Sequence, residues 1–154
     1  MALFLSTFTN KVDRKGRVSL PASFRAVLGA GGAQTVMVFP SLTLGAIEGC
    51  GPDILEALAD SANATYDFFS PEQSGVGTQI FGMSSELSWD PEGRVLLPRE
   101  LLDHAGIAEL ASFVGMGRSF QIWEPAALKA HQAEARSRLL AQPPKLTLRR
   151  PETT

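Results

Sequence analysis

Alternating apolar and polar residues near the N-terminus predict a β-strand. Over residues 7–12, Phe8, Asn10 and Val12 fall on one face of such a strand and the residues between them on the other. The stretch Asp13-x-x-Gly16 follows, and this spacing is typical of a type I turn whose glycine adopts positive φ. Pro21 ends the second strand of the hairpin because proline has no N–H for the ladder.

The same order of residues returns 77 positions later. Residues 13–29 and 90–106 share seven identities in 17 positions, where chance supplies roughly one. Each copy predicts a short helix, two strands and a helix opened by proline. These elements cover 22–28, 35–39, 44–47 and 52–64 in the first copy, and 99–105, 112–115, 120–123 and 125–141 in the second. One copy is too small to bury much core alone, so the two are predicted to pack as a pseudo-dimer.

The repeat divides the chain into five predicted segments. They are a first unit at 4–51, a helix and apolar connecting segment at 52–85, a second unit at 86–124, a C-terminal helix at 125–141 and a flexible tail at 142–154. The connecting segment contains Phe68, Phe69, Ile80 and Phe81. We therefore expect it to pack against the core or a neighbouring subunit.

Composition bounds the class of protein. With 154 residues and 44% hydrophobic content, the chain can bury the core of one domain or of two small units. It has no apolar run of about 18 residues and no signal-peptide pattern at its start, so we expect a cytoplasmic protein without a membrane partner. The single cysteine, Cys50, excludes an internal disulfide.

Charge is distributed unevenly along the chain. The net charge of −2 combines +4 in residues 1–25, −9 in residues 26–93 and +3 in residues 94–154. Two basic ends around an acidic middle are typical of a localised anion-binding face. An uneven scatter of solvated charges explains the same numbers, so charge alone leaves both interpretations open.

No cluster of residues suggests catalysis. His104 and His131 are separate in sequence, Cys50 has no placed histidine partner, and the carboxylates of the acidic middle fit a solvated helix face. We therefore predict that the protein is not an enzyme, and that it uses no cofactor, no metal and no small-molecule substrate.

The first turn is the strongest candidate for a binding site. Its basic side chains are Lys11, Arg14, Lys15, Arg17 and Arg25. A hairpin tip fits into a DNA major groove, where arginine binds a guanine edge and lysine binds phosphate. A solvated turn is the alternative, but the repeated Gly-Arg at Gly93-Arg94 favours DNA. Glu92 replaces Lys15 in the second copy and repels phosphate, so the first turn is predicted to contribute more binding energy.

The run from Lys11 to Pro21 resembles the swapped-hairpin DNA-binding family named after AbrB and SpoVT. Two tandem copies over residues 4–141 look similar to the MraZ family of bacterial transcriptional regulators. This resemblance implies an α+β, β-rich fold in which two interleaved hairpin units form a pseudo-dimeric, β-barrel-like core with flanking helices. It also implies a ring of identical subunits that binds double-stranded DNA.

The resemblance further implies a biological role. Members bind promoter direct repeats upstream of their own division and cell-wall operon, which implies a nucleoid-associated repressor. By position, Arg17 and Arg94 become the main DNA-contact residues, and Lys11, Arg14, Lys15 and Arg25 support them. Related swapped-hairpin proteins act as antitoxins that hold a toxin through a disordered C-terminal extension. A protein-interaction module of this type is the alternative function, although the tail here is short.

Overall fold

Eight strands and five α-helices form an α+β fold in the computed structural model, which describes residues 2–149. The strands are β1 Thr7–Lys11, β2 Arg17–Ser19, β3 Thr35–Pro40, β4 Ile47–Cys50, β5 Ser85–Ser88, β6 Arg94–Leu96, β7 Leu110–Gly115 and β8 Phe120–Trp123. The α-helices are α1 Ala22–Leu28, α2 Pro52–Thr65, α3 Pro71–Val76, α4 Arg99–Ala105 and α5 Pro125–Ala141. A 3₁₀ turn, Gly29–Gly31, follows α1, and a π-helical turn, Gly77–Phe81, follows α3.

The two sequence copies exchange their first strands. A six-stranded antiparallel sheet has the order β1-β7-β8-β4-β3-β5. Strand β1 of the first copy pairs with β7 of the second, and β5 of the second copy pairs with β3 of the first. The hairpins β3–β4 and β7–β8 meet at the centre, where β4 pairs with β8. This order is symmetric about the β4–β8 pair, which is the pseudo-twofold relation expected from the repeat.

A second, two-stranded sheet joins the copies again. Strands β2 and β6 pair antiparallel, with Val18 opposite Val95. Both valines are 1% exposed and belong to the main core, so this small sheet lies over the same core as the large one. We call β2 and β6 together the ribbon.

Aromatic side chains fill the middle of the core. Phe24 of α1 is fully buried and has its ring centroid 5.2 Å from that of Phe4, 5.0 Å from that of Phe120 and 6.5 Å from that of Phe113. These residues come from both sequence copies. The core therefore belongs to the pair of copies, since neither copy supplies it alone.

The predicted fold class is confirmed, and so is most of the element order. Helices α1, α4 and α5 have the predicted bounds. Hydrogen bonds link the large sheet as an open sheet that ends at β1 and β5, so its closure into a barrel stays a prediction. The division of the chain into five segments also stays a prediction, and residues 150–154 of the predicted tail lie outside the described residues.

One strand begins later than the sequence pattern predicted. We expected it over residues 44–47, whereas β4 is Ile47–Cys50. The Ser41 hydroxyl accepts hydrogen bonds from the N–H groups of Thr43 and Leu44, at 3.4 and 3.3 Å. These bonds fold the chain into a local turn, because a serine side chain competes with the ladder for nearby backbone groups.

The apolar connecting segment behaves differently at its two ends. Towards its C-terminal end, Ile80 is 7% exposed and packs with Phe39 and Cys50, as expected for a segment that covers the core. Phe68 and Phe69, which come earlier in the segment, are 78% and 94% exposed, and their rings meet edge to face with centroids 5.0 Å apart. The earlier part thus leaves an aromatic pair in solvent.

Candidate nucleic-acid interface

An aspartate organises the first turn, residues 13–17, from within. The Asp13 carboxylate accepts hydrogen bonds from the backbone N–H groups of Lys15 and Arg17, both at 2.9 Å, through Oδ1. Its other oxygen, Oδ2, accepts a hydrogen bond from Nε of Arg17 at 2.8 Å. Gly16 closes the turn at φ +94°, a conformation that L side chains rarely adopt. The turn therefore fixes both its own backbone and the position of one guanidinium.

The charge of Asp13 is stabilised by the same bonds. The backbone hydrogen bond from Arg17 lowers the pKa of Asp13 from its ordinary value, and the Arg17 guanidinium and the Lys15 N–H contribute. Asp13 is thus ionised at neutral pH and holds Arg17 as an ion pair. Both side chains are close to 40% exposed, so this ion pair is in contact with solvent.

The second turn, residues 90–94, repeats this geometry with one addition. Oδ1 of Asp90 accepts from the N–H groups of Glu92 and Arg94 at 2.9 Å, and Oδ2 accepts from Nε of Arg94 at 3.2 Å. Gly93 adopts φ +80°. In addition, Nη2 of Arg94 lies 3.3 Å from Oε2 of Glu92. The second arginine therefore has two carboxylate partners where the first has one.

The two turns are tied together through the ribbon. The Gly16 carbonyl accepts a hydrogen bond from Leu97 N–H, and the Gly93 carbonyl accepts one from Leu20 N–H, both at 2.9 Å. Arg17 lies opposite Leu96 across the ribbon, and Arg94 lies opposite Ser19. Since side chains alternate along a strand and the two valines point inward, both arginines lie on the outward face.

The remaining predicted basic residues lie around this face. Arg14 and Lys15 are exposed within the first turn, and Lys11 is exposed at the end of edge strand β1. Asn10 connects this strand to the ribbon, because its Nδ2 donates a hydrogen bond to the Ser19 carbonyl at 2.8 Å. Arg14, Lys15 and Arg17 thus lie together in the first turn. Lys11 lies next to it on β1, where strand alternation turns its side chain to the opposite face from Asn10.

Arg25 was predicted to lie at the first turn, but it lies at the second. Its Nε donates to the Leu20 carbonyl at 3.1 Å, and its guanidinium covers Gly93 so closely that a Cβ there would lie 2.5 Å from Cζ. The equivalent residue of the second copy, Leu102, lies beneath Gly16. Each short helix therefore lies against the turn of the other copy, because the two copies exchange strands. Arg25 therefore supplies positive charge to the second turn.

The two histidines and the cysteine, which were considered as catalytic residues in the sequence, lie in structural environments. The His104 ring lies 3.1 Å from the Leu44 carbonyl through Nε2, and the His131 ring stacks on Trp123 with centroids 4.6 Å apart. Burial raises the pKa of Cys50 to about 11, and Asp53 and Glu48 add to this shift, so the thiol is protonated at neutral pH.

The part of the chain that the structure describes offers neither a metal-binding cluster nor a membrane-spanning helix. Between residues 2 and 149, no group of three or more His, Cys, Asp or Glu side chains is arranged to hold a metal ion. Within the same range, no helix has the length and apolar character needed to cross a membrane.

Comparisons with known proteins agree on one family. A family model described as "MraZ protein, putative antitoxin-like" matches residues 80–150. The protein named "Transcriptional regulator MraZ" from Rhodospirillum rubrum is 48% identical over 139 residues, covering 84% of each chain. Proteins of the same name from Rickettsia akari and Rickettsia canadensis are 43% and 44% identical over 149 residues, covering 97% of this chain and 98% of each relative. The chain belongs to the MraZ family.

Membership of the MraZ family confirms the resemblance seen in the repeated turn motif. It also makes this chain a transcriptional regulator, as its relatives are named. The family model covers the second copy and the C-terminal helix, whereas the Rickettsia relatives align along nearly the whole chain and so include both turns.

Sequence reasoning missed two features of this MraZ-family site. The first is the contact between Glu92 and Arg94, although a carboxylate two residues before an arginine in a tight turn is a usable signal. The second is Leu96, which is 54% exposed on the outward face opposite Arg17. Strand alternation is the signal for this position, because the neighbours of an inward-facing Val95 must point outward.

Proposed function

We propose that this chain regulates transcription by binding double-stranded DNA in a sequence-specific manner through the outward face of the ribbon and its two turns. The observation that carries the proposal is the geometry of Arg17. Its Nε is held by Asp13, and within residues 2–149 its two terminal nitrogens have no protein partner. A guanidinium held by one edge presents the other edge for paired hydrogen bonds to guanine O6 and N7.

The surroundings of Arg17 support DNA in preference to a protein ligand. Arg14 and Lys15 are exposed in the same turn, and Lys11 is exposed on the neighbouring strand β1; we propose that these side chains neutralise phosphates. The two turns and the residues around them contain three acidic residues, Asp13, Asp90 and Glu92, against six basic ones, which are Lys11, Arg14, Lys15, Arg17, Arg25 and Arg94. Despite a net charge of −2, the ribbon end of the molecule is therefore basic.

A more specific proposal concerns the DNA site, which we place in the promoter of the protein's own gene. We propose that the protein represses its own division and cell-wall operon at promoter direct repeats and is thereby associated with the nucleoid. The test uses fluorescence anisotropy with duplex DNA from upstream of the gene and an equally long duplex from inside it. We expect at least about tenfold tighter binding to the upstream duplex at about 150 mM salt. Equal binding to both duplexes contradicts sequence-specific recognition.

We also propose that the protein acts as a ring of identical subunits. One chain offers one strongly basic turn, and joining several in a ring raises their effective concentration on repeats about 10 base pairs apart. The exposed pair Phe68 and Phe69 supports a subunit contact at this point, since such aromatic pairs are usually covered by a partner.

Light scattering tests this assembly. At micromolar concentration we expect a mass of several 16.5 kDa chains, and a lower mass for the double substitution of Phe68→Ser with Phe69→Ser. Leu148→Ser is the control because Leu148 is another exposed apolar residue but lies in the tail. A monomeric wild-type protein contradicts the ring.

A second candidate function is an antitoxin-type interaction module. The observation that favours it is the tail, in which Leu146 and Leu148 are 88% and 103% exposed. Exposed leucines between basic residues suit a short segment that folds on a protein partner. Deletion of residues 142–154 distinguishes the two functions. If DNA binding is the function, the deletion leaves the affinity for the upstream duplex unchanged.

A further inference from the structure

The two turns carry opposite charges at one equivalent position. Lys15 in the first turn and Glu92 in the second are related by the repeat, and the N–H of each donates to the turn aspartate at 2.9 Å. The backbone at this position is therefore the same in both turns. Only the side chain differs, and it changes from a hydrogen-bond donor to an acceptor.

Glu92 is available to a ligand and lies next to a donor. It is 73% exposed, and Oε2 lies 3.3 Å from Nη2 of Arg94, while no contact within the described range engages Oε1. Nη1 of Arg94 is likewise without a protein partner in residues 2–149. The second turn thus presents a free acceptor and a free donor side by side, whereas the first turn presents donors.

Repulsion by phosphate does not keep this carboxylate away from DNA. Arg94 pairs with it directly, and the Arg25 guanidinium covers the adjacent Gly93. Two positive charges therefore balance Asp90 and Glu92 at this turn. A balanced carboxylate can approach the major groove, where glutamate accepts a hydrogen bond from the cytosine N4 amino group.

We propose that Glu92 reads a base. The second turn accepts a hydrogen bond from a cytosine amino group, whereas the first turn donates to guanine O6 and N7. This inference rests on the DNA-binding function proposed above. Its consequence is that the pseudo-twofold chain recognises two different half-sites and binds a duplex in one orientation only. Copies placed side by side in one orientation select direct repeats in preference to inverted ones.

Selection from a library of random duplexes of about 30 base pairs, long enough for repeats one helical turn apart, tests the proposal. The full chain is compared with Glu92→Lys, Glu92→Ala and a control, Glu56→Lys, which makes the same charge change at an exposed position of α2. The selected sequences and the relative affinity for cytosine against guanine at the second half-site are measured. Circular dichroism checks that each variant is folded.

The wild type is expected to select an asymmetric sequence and to prefer cytosine about tenfold at the second half-site. Glu92→Lys is expected to exchange this cytosine for guanine and to make the selected sequence two-fold symmetric. Glu92→Ala, which needs no new contact, is expected to lose the cytosine preference while the first half-site is unchanged. Glu56→Lys is expected to select the wild-type sequence.

Three results overturn the inference. A symmetric wild-type sequence shows that the turns read alike. If Glu92→Lys selects the same sequence as the wild type and only binds it more tightly, Glu92 acts through its charge alone. In that case the inference fails, but the proposed DNA-binding function still stands. If the wild type enriches no sequence, the inference and the proposed function fail together.

Discussion

The two turns have the same backbone and different surroundings, and this difference separates what the fold requires from what binding requires. Both turns have an internal aspartate, a glycine at positive φ and an arginine held through Nε. These features build the ribbon and occur in both copies. The first turn adds Arg14 and Lys15, whereas the second adds Pro91 and Glu92 and depends on Arg25 from the other copy for positive charge. We infer that the shared aspartate and glycine build each turn and hold its arginine in place for DNA, and that the residues that differ determine how strongly each turn binds.

The largest expected effect concerns the turn glycines. A Cβ at Gly16 would lie 2.9 Å from the backbone oxygen of Leu97, which cannot move without breaking the ribbon, whereas a Cβ at Gly93 would meet only the flexible end of Arg25. We expect Gly16→Ala to lower the free energy of unfolding by about 3 kcal/mol and Gly93→Ala by about 1–2 kcal/mol. Urea denaturation measures both values.

Gly106→Ala is the matched control for these two substitutions. Gly106 adopts φ +64°, and a Cβ there meets nothing within 4 Å, so the variant reports the cost of the backbone conformation alone. A loss for Gly16→Ala no larger than that of Gly106→Ala would show that the close approach to Leu97 carries no energy.

The next effect concerns the aspartates that hold the arginines. Asp13→Asn keeps an acceptor for the backbone N–H groups but removes the charge that holds Nε of Arg17. We expect the ratio of specific to non-specific DNA affinity to fall about tenfold, because a freed guanidinium must be ordered again on binding. Anisotropy titrations with the upstream and internal duplexes give this ratio.

Asp90→Asn provides the comparison with the second turn. Glu92 still holds Arg94 after this substitution, so we expect a smaller change in the same ratio. If Asp13 only repels phosphate, Asp13→Asn will instead tighten binding to both duplexes, and its positioning role is then wrong.

The smallest effect concerns phosphate contacts. Lys15→Ala removes one charge near the duplex, so we expect binding to all DNA to weaken and the slope of log affinity against log salt to fall by about one. Lys129→Ala on α5 is the control for total charge, since Lys129 is exposed but lies outside the ribbon. An unchanged slope for Lys15→Ala removes Lys15 from the phosphate contacts.

The sequence predicted the local structure of the two turns and their helices well, and the long-range contacts between the two copies poorly. The repeat located both turns and the bounds of α1, α4 and α5, because prolines and glycines act within a few residues. The start of β4 was wrong because side-chain bonds from Ser41 extended the preceding turn. Arg25 lies against Gly93 because the short helix of the first copy packs on the turn of the second copy. Local sequence patterns carry no information on such a tertiary contact between residues 25 and 93.

The first turn is predicted to contribute more to DNA binding than the second. The most direct test titrates the upstream duplex with Arg17→Ala and Arg94→Ala at one fixed salt concentration, after circular dichroism and light scattering have shown wild-type fold and assembly. We predict a loss of at least about 100-fold for Arg17→Ala, since several subunits lose the contact together, and about tenfold for Arg94→Ala. An equal or larger loss for Arg94→Ala would show that the first turn is not the stronger DNA contact.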